Sequence, residues 1–367
     1  MTYIKDMKLT LQIKLLPDDI QAKELLETIK KFNDACNAIS ETAWKEKIFN
    51  QYRLQKIVYR SIKDQFNLTA QVVVRCISKV SDSYKLDKKV QRNFKPLGAI
   101  TYDSRILSYK EFSVSIWTVD GRLKIPFVCH RPDWLPFVKG EADLVTRRGK
   151  FFLLQTVEVP EDGIKDFEEF LGIDFGVVDI VALSNGKNVS SEWINKYRLK
   201  RESVRGSIQR KGTRSARRLL KRLSGRERST ATLINHTLSR RIVSEAKMEG
   251  LGVAVEDLKG IRKAANKLRK KQKGLRHKWS FNQLRGMLAY KSKLAGIPFV
   301  AVDPAYTSQI CSACGEMGDR KGKNFSCKAC GNTMDADTNA AKNIAARGRS
   351  VTIAEKSVKE HKVPNQV

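Results

Sequence analysis

FLGIDFGVVDIVALSNG, residues 170–186, sets a carboxylate inside an apolar run. The residues on either side of Phe175-Gly176 have the composition of short buried strands, and the stretch reads as a hairpin of two. Asp174 stands at its centre. An Asp can be a turn residue, but Leu-Gly-Ile before it leaves the charge on a buried or half-buried element. A buried carboxylate is costly unless it is paired or holds a metal. The hairpin therefore asks where the partners of Asp174 are.

Two later stretches supply candidates. LGVAVEDL reads as a short buried strand with Glu256 at its end, and IPFVAVDP as another strand. Asp335 and Asp337 open a final helical pattern, DADTNAAKNIAARG. Each acid has an ordinary explanation. A Glu at a strand end is often exposed, Asp335 suits a helix N-cap, and Asp337 in the first turn favours the helix dipole. Jointly they suggest more. Carboxylates on a first strand, a later strand and a last helix can converge in a mixed α/β sheet. Three such groups offer hard oxygen ligands that suit a pair of Mg²⁺ ions. Two ions ~3.5–4 Å apart stabilise the attacking and leaving oxygens of phosphodiester hydrolysis. The sequence has no HEXXH, Walker A or Gly-x-Ser-x-Gly motif. His130, His236, His277 and His361 are isolated and read as structural or solvent-facing.

Cys311, Cys314, Cys327 and Cys330 form two Cys-x-x-Cys pairs twelve residues apart. Each pair can present two thiolates to one ion, and two pairs make the tetrahedral sulfur shell of a structural zinc site. No position is left for water, so the ion is expected to be structural. A ribbon this small cannot bury a core, and its folding should depend on the metal.

The whole chain is basic. Among 367 residues, 70 Lys and Arg face 39 Asp and Glu, a net charge of +31, and 41% of residues are apolar. That length suggests two or three domains with a sizeable core. So large a surplus repels itself unless a polyanion neutralises it. Nucleic acid is the default partner, through counterion release, and an acidic membrane surface the weaker alternative. No apolar run is long enough to span a bilayer. MTYIKDMKLTLQIKLLP lacks the continuous apolar segment of a signal peptide. Seven cysteines, three of them single (Cys36, Cys76, Cys129), argue for a reducing cytosol. The singletons read as small buried hydrophobes.

Towards the N-terminus, residues 1–16 alternate like a strand. Residues 17–90 read as three helices, the first opened by Pro17-Asp18-Asp19. From near residue 98 the texture changes, and GAITYDSRILSYKEFSVSIWTVDGRLKIPFVCHRPDW and ADLVTRRGKFFLLQTVEVP read as short strands with turns at Asp120-Gly121 and Arg148-Gly149. The pattern suggests a small β-barrel that takes residues 1–16 as an extra strand and is interrupted by the helices. The polar stretch from residue 349 to 367 shows no clear period and is expected to be loose.

LGIDFGVVDIVAL, VAVEDLKGI, WSFNQLRGMLAYKSKLAGIPFVAVDPAYTSQICSACG and DADTNAAKNI resemble the RuvC motifs and zinc ribbon of the TnpB family. These are RNA-guided endonucleases of insertion sequences, ancestral to compact type V CRISPR effectors. The motifs cover residues 170–345; the N-terminal half agrees only in texture. The resemblance implies an α+β multidomain protein: a β-barrel wedge with a helical recognition insertion, then an RNase H-like RuvC domain of mixed α/β structure with an inserted zinc ribbon. It divides the chain into a wedge strand (1–16), recognition helices (17–95), wedge barrel (96–167), RuvC domain with basic helices (168–304), ribbon (305–333), last RuvC helix (334–348) and tail (349–367). It makes Asp174, Glu256 and Asp337 the catalytic acids holding two Mg²⁺ ions, and leaves Asp335 the cap. Arg320 matches an arginine that the family often carries near the scissile phosphate, where it could stabilise developing charge. The implied partners are a guide RNA derived from the transposon end, with one protein per RNA, and target double-stranded DNA bearing a short flanking motif. No membrane is involved, and the compartment is a prokaryotic cytoplasm. Two rivals stand beside this reading: RNA-guided binding for repression without cleavage, and a guide-independent RNase H-like nuclease such as a resolvase.

Residues 191–230 hold fourteen Lys and Arg against three Glu, and residues 258–278 hold ten and no acid. A charge run is ordinarily a solvated face or a disordered tail. Here both runs follow strands that carry the candidate acids. They read as walls of a channel for RNA and a guide–target heteroduplex, tracking phosphates and A-form shape. Trp279 and Phe281 are placed to stack on bases or, at helical spacing with Leu284 and Leu288, to join the core.

Overall fold

A computed structural model describes residues 6–161, 163, 167–176, 179–190, 192–257 and 281–360. The chain forms two compact units that divide after Pro160, ahead of the expected boundary at 167.

The first unit begins with strand β1 (Asp6–Leu15) and three helices, α1 (Asp19–Lys45), α2 (Gln51–Phe66) and α3 (Ala70–Leu86). Six strands follow: β2 (Ile100–Tyr102), β3 (Leu107–Lys110), β4 (Ser113–Thr118), β5 (Gly121–Cys129), β6 (Val138–Arg147) and β7 (Lys150–Pro160). They make one seven-stranded antiparallel sheet in the order β2-β6-β7-β1-β5-β4-β3. Its two edge strands, β2 and β3, are consecutive in sequence and joined only by residues 103–106. So short a link requires the sheet to curl until its edges meet. The Tyr102 hydroxyl donates to the Trp117 carbonyl at 3.0 Å across that seam. The result is a nearly closed β-barrel with the helices inserted after its first strand. The side chains of β7 alternate strictly between buried and partly exposed, as a half-buried strand requires. Both expected turns are present: Gly121 has φ +128°, and Arg148 and Gly149 have φ +53° and +73°. Asp18 and Gln21 cap α1 reciprocally. Cys36 and Cys76 are buried in the helical insertion and Cys129 is half-buried.

The second unit is built on a mixed sheet. Its strands are β8 (Phe170–Asp174), β9 (Asp179–Leu183), β10 (Val189–Ser190), β11 (Gly252–Glu256) and β12 (Phe299–Val302), in the order β10-β9-β8-β11-β12. β8 and β9 are the antiparallel hairpin expected from residues 170–186. β11 runs parallel to β8 and to β12. Helices α4 (Glu192–Arg210), α5 (Arg214–Met248) and α6 (Phe281–Leu294) fill the crossovers. Leu171, Ile173, Val253 and Val255 pack under Ile242 of α5 and Leu284 and Leu288 of α6. Phe281 joins this cluster and its ring lies 5.7 Å from that of Phe175, so it is core; Trp279 lies outside the described residues. Three short strands, β13 (Asp319–Lys321), β14 (Asn324–Ser326) and β15 (Thr333–Asp335), lead into the last helix, α7 (Ala336–Glu360).

On the other face of the sheet, Phe170, Ala254 and Val302 meet Ile344 of α7. This contact is very close. A Cβ on Gly172 would stand 1.9 Å from the Ala341 carbonyl oxygen and 2.6 Å from the Ala345 nitrogen. Only glycine lets the helix backbone lie on β8 here. One expectation fails: residues 349–360 are not loose, because α7 runs on to Glu360. Extending a formed helix needs no new nucleation, and Arg349 pairs with Glu169 at 2.7 Å.

Gly172→Ala is expected to lower unfolding stability by at least roughly 1–3 kcal/mol, the cost of overpacking a tight contact. Denaturant melts of the purified chain read this directly. An unchanged midpoint would mean that α7 can shift away from β8 at no cost.

Candidate functional site: a carboxylate cluster braced by a four-cysteine ribbon

The sheet brings the scattered acids together. Asp174 ends β8, Glu256 ends β11, and the ladder pairs Ile173 with Val255, so the two acids leave neighbouring parallel strands at the same end. Asp337 lies in the first turn of α7, whose close seat on β8 carries it to the same end; it is 7% exposed. Burial, followed by the negative charges of Glu256 and Asp337, pushes the Asp174 carboxyl up to about 7, and Arg320 opposes the shift. Burial likewise raises Glu256, against a hydrogen bond from Thr307 and the charge of Arg347. A carboxyl pushed this far marks a group held without its natural counter-charge. Asp335 caps the helix, accepting from the Asp337 and Thr338 backbone N–H groups at 3.1 and 2.9 Å.

Arg320 sits on β13 and donates from Nη2 to Asp337 Oδ1 at 2.6 Å. Lys323, at the tip of the same hairpin, bonds Asp179 at the start of β9 at 2.6 Å. Sequence reading missed Lys323, Asp179 and Thr307. The Thr307 hydroxyl, buried between β12 and the ribbon, donates to Glu256 Oε1 at 2.5 Å. Asn343 of α7 donates to the carbonyls of Thr307 and Ile310, and Asn339 donates to Ile310 and accepts from the Ser312 N–H. The one signal available for these links was the pair of asparagines four apart, on one face of the last helix.

The four cysteines converge as expected. Among the described residues, theirs is the one group of three or more His, Cys, Asp or Glu whose donor atoms all lie within 4.8 Å of one another. Sγ–Sγ distances of 3.7 Å (Cys311 to Cys330) and 3.6 Å (Cys314 to Cys327) are close to the ~3.8 Å edge of a tetrahedron with 2.3 Å Zn–S bonds. The two knuckles are built alike. In each, the glycine after the second Cys (Gly315 and Gly331, φ +83° and +75°) donates its N–H to the first Cys carbonyl at 2.9 Å. Burial would raise the Cys311 thiol, but backbone N–H groups of Ala313 and Cys314 and the Asn332 amide outweigh it and pull it to about 6. The site can therefore hold a thiolate-binding metal, and its donor set fits zinc. Phe325, with Cys311, Cys327 and Ala336, forms the small core beneath it.

The basic run at 191–230 lies on α4 and the first half of α5, which pack as an antiparallel pair around Ile208, Ala216 and Leu223. Arg205 of α4 bonds Glu227 of α5 at 2.6 Å. The second run, 258–278, lies outside the described residues, as do His277 and His361.

Residues 281–344, from α6 through the ribbon into α7, match a family profile described as Cas12f1-like, TNB domain. The CRISPR-associated endodeoxyribonuclease Cas12f1 of Sulfoacidibacillus thermotolerans is 31% identical over 230 residues, covering 57% of this chain and 53% of that protein. A TnpB-like protein of Methanocaldococcus jannaschii is 29% identical over 199 residues, covering 51% of this chain and 72% of that protein. The chain thus spans about half the length of the Cas12f1 relative. A solved Cas12f1–sgRNA–target DNA complex superposes on 92% of this chain and 99% of that one at 18% identity, with a TM-score of only 0.41. The chain's sequence relatives thus include both TnpB-like and Cas12f1 proteins.

Two outcomes are expected. Titration with a thiol-displacing reagent should release one zinc ion per chain, and Cys327→Ser should abolish that release; metal analysis of the purified protein checks both. For Asp174, the folded carboxyl titrates near 7 and the unfolded one near ~3.9. Between those values the native state holds the extra proton, so this group's contribution to stability falls as pH rises from about 4 to 7. Asp174→Asn should flatten that decline and raise the thermal midpoint above pH 7 in magnesium-free buffer.

Proposed function

We propose that this chain is an RNA-guided, Mg²⁺-dependent DNA endonuclease with a single RuvC-type site. The observation that carries the reading is the convergence of Asp174, Glu256 and Asp337 at one end of a mixed sheet, where burial and mutual repulsion drive Asp174 up to about 7. Sequence relatives named as endodeoxyribonucleases and RNA-guided DNA endonucleases support it. The charge of +31 suits a polyanionic substrate.

The three carboxylates would hold two Mg²⁺ ions. When bound, these supply Lewis-acid stabilisation of the phosphate oxygens and a more acidic water. Within the protein, Asp174 takes up cations at the cost of its own proton, so binding should strengthen as pH rises through about 7. Thr307 fixes the orientation of Glu256. Arg320 is assigned to the transferring phosphate: its guanidinium, held near Asp337, is a cation available to charge that develops on non-bridging oxygens. The step itself is attack of water on phosphorus with departure of one bridging oxygen. The four cysteines hold a structural Zn²⁺.

Outside the acid cluster, the barrel and helical insertion are assigned to a guide RNA and to a short motif flanking the target in duplex DNA. The basic pair α4 and α5 is assigned to phosphates of the guide–target duplex, where contacts position rather than specify. The setting is a prokaryotic cytoplasm, and among the described residues no helix is long and apolar enough to cross a membrane.

The test is protein purified with the RNA of its own locus, mixed with Mg²⁺ and plasmids carrying the matched target beside a randomised flank. Cutting should require the match, and Asp174→Ala should reduce it by at least ~10³-fold. Arg320→Ala should reduce it by ~10²–10³-fold, the usual cost of removing one charge-stabilising donor. Bound target without cutting would favour the repressor reading. Cutting indifferent to guide sequence would favour a resolvase-like enzyme.

A further inference from the structure

The helical insertion carries a cavity of about 640 Å³ where the turn between α1 and α2 meets the C-terminal end of α3. That volume lies within the ~300–1,000 Å³ of small-ligand sites. Its lining includes Lys47, Arg53, Lys85 and Lys88 and no carboxylate. Lys85 is engaged by Asp82 at 2.6 Å. Among the described residues, no ion pair engages Lys47, Arg53 or Lys88.

Lys47 stands two residues beyond the end of α1 with φ +55°, where glycine would be the unstrained choice. A cation therefore occupies a strained position at the cavity edge, its ammonium 3.5 Å from the centre of the Trp44 ring. Aromatic surface completes the lining. The rings of Phe49 and Tyr84 pack with centroids 4.4 Å apart, tilted by 33°, and Ser40 and the Arg92 N–H hold the Tyr84 hydroxyl. Tyr52 is 76% exposed. The first turn of α2 is not itself the anion site, because the Asn50 side chain already accepts from the Tyr52 and Arg53 N–H groups. Recognition falls to side chains: unpaired cations beside an open aromatic face.

We infer that this cavity binds one unpaired nucleotide of a nucleic-acid strand, its base against Tyr52 and its phosphates on Lys47, Arg53 and Lys88. Stacking on an aromatic beside a basic lining is the chemistry by which proteins hold single strands without reading sequence. The site lies in the helical insertion and rests on its assignment to nucleic acid, not on the acid cluster.

The experiment uses the full chain with six-nucleotide single strands, RNA in one arm and DNA in the other, each carrying one photoactivatable thio-pyrimidine. Crosslinked peptides are identified by mass spectrometry. Crosslinks are expected in the peptide spanning residues 47–53. Tyr52→Phe should keep that crosslink. Tyr52→Ala should lower the affinity read at it by about 5- to 150-fold, as for loss of one stacked base, with no change in thermal midpoint. Arg53→Gln and Lys88→Gln should each flatten its salt dependence by about 0.7 in log–log slope. Crosslinking by RNA alone, DNA alone or both supports the site and identifies the strand. Crosslinks confined to other peptides, or a Tyr52→Ala variant that crosslinks like the wild type, would overturn it.

Discussion

The seat of α7 on β8 is the constraint on which the site depends. At Gly172 the helix backbone itself fills the space a side chain would take, and further along a Cβ on Gly348 would crowd the side chains of Ala254 and Phe170. Small residues on both elements make the approach possible. Its consequence is electrostatic. Asp337 is drawn close enough to Asp174 and Glu256 that their charges, added to burial, push Asp174 far above the ordinary carboxylate range. The fold thus stores repulsion at one end of the sheet, a destabilising arrangement that packing elsewhere must offset. Cations relieve it. Arg320 does so partly, and divalent ions would do so fully.

The ribbon is the second half of this balance. Between Val302 and Ala336 the chain supplies the hydroxyl on Glu256, the guanidinium on Asp337 and the ammonium on Asp179. None of these side chains belongs to the sheet. Their placement rests on two cysteine knuckles, the small core around Phe325, and asparagines of α7 that tie the ribbon's leading segment to the helix. A soft thiolate cluster therefore steadies a hard carboxylate cluster, and the difference in ligand type would direct different metals to the two. Without a metal on the cysteines, the polar contacts around the acids would loosen before the sheet was disturbed.

Much of this was legible in the sequence because local rules carried it. The Asp174 hairpin, the two knuckles and the alternation of β7 each show within a few residues. The curl of the barrel follows from strand order and one short link, once the pairing is known. What stayed hidden depends on long separation. Thr307 and Glu256 are 51 residues apart, and Lys323 and Asp179 are 144 apart. Both Thr307 and Lys323 sit in polar, turn-rich sequence that reads as ordinary loop. The end of α7 was misread for another reason. RSVTIAEKSVKE has no apolar stripe, and periodicity cannot report a helix that persists by continuation of a longer one.

Charge acts here at two ranges with opposite sign. The surplus of +31 draws polyanions, yet it does not keep Asp174 ionised, because screening limits exposed charges to about 8–10 Å. Desolvation and two neighbouring carboxylates decide that group's proton instead. A basic exterior suited to polyanions can therefore coexist with an acidic cluster suited to cations. Arg320 belongs to both fields. Its side chain is 35% exposed while bonded to Asp337, so under the proposed function a phosphate and a carboxylate would compete for the same guanidinium. Arrival of a divalent ion at the acids would weaken the hold of Asp337 and free Arg320 for the phosphate. Cation binding and substrate engagement would then be coupled through one side chain.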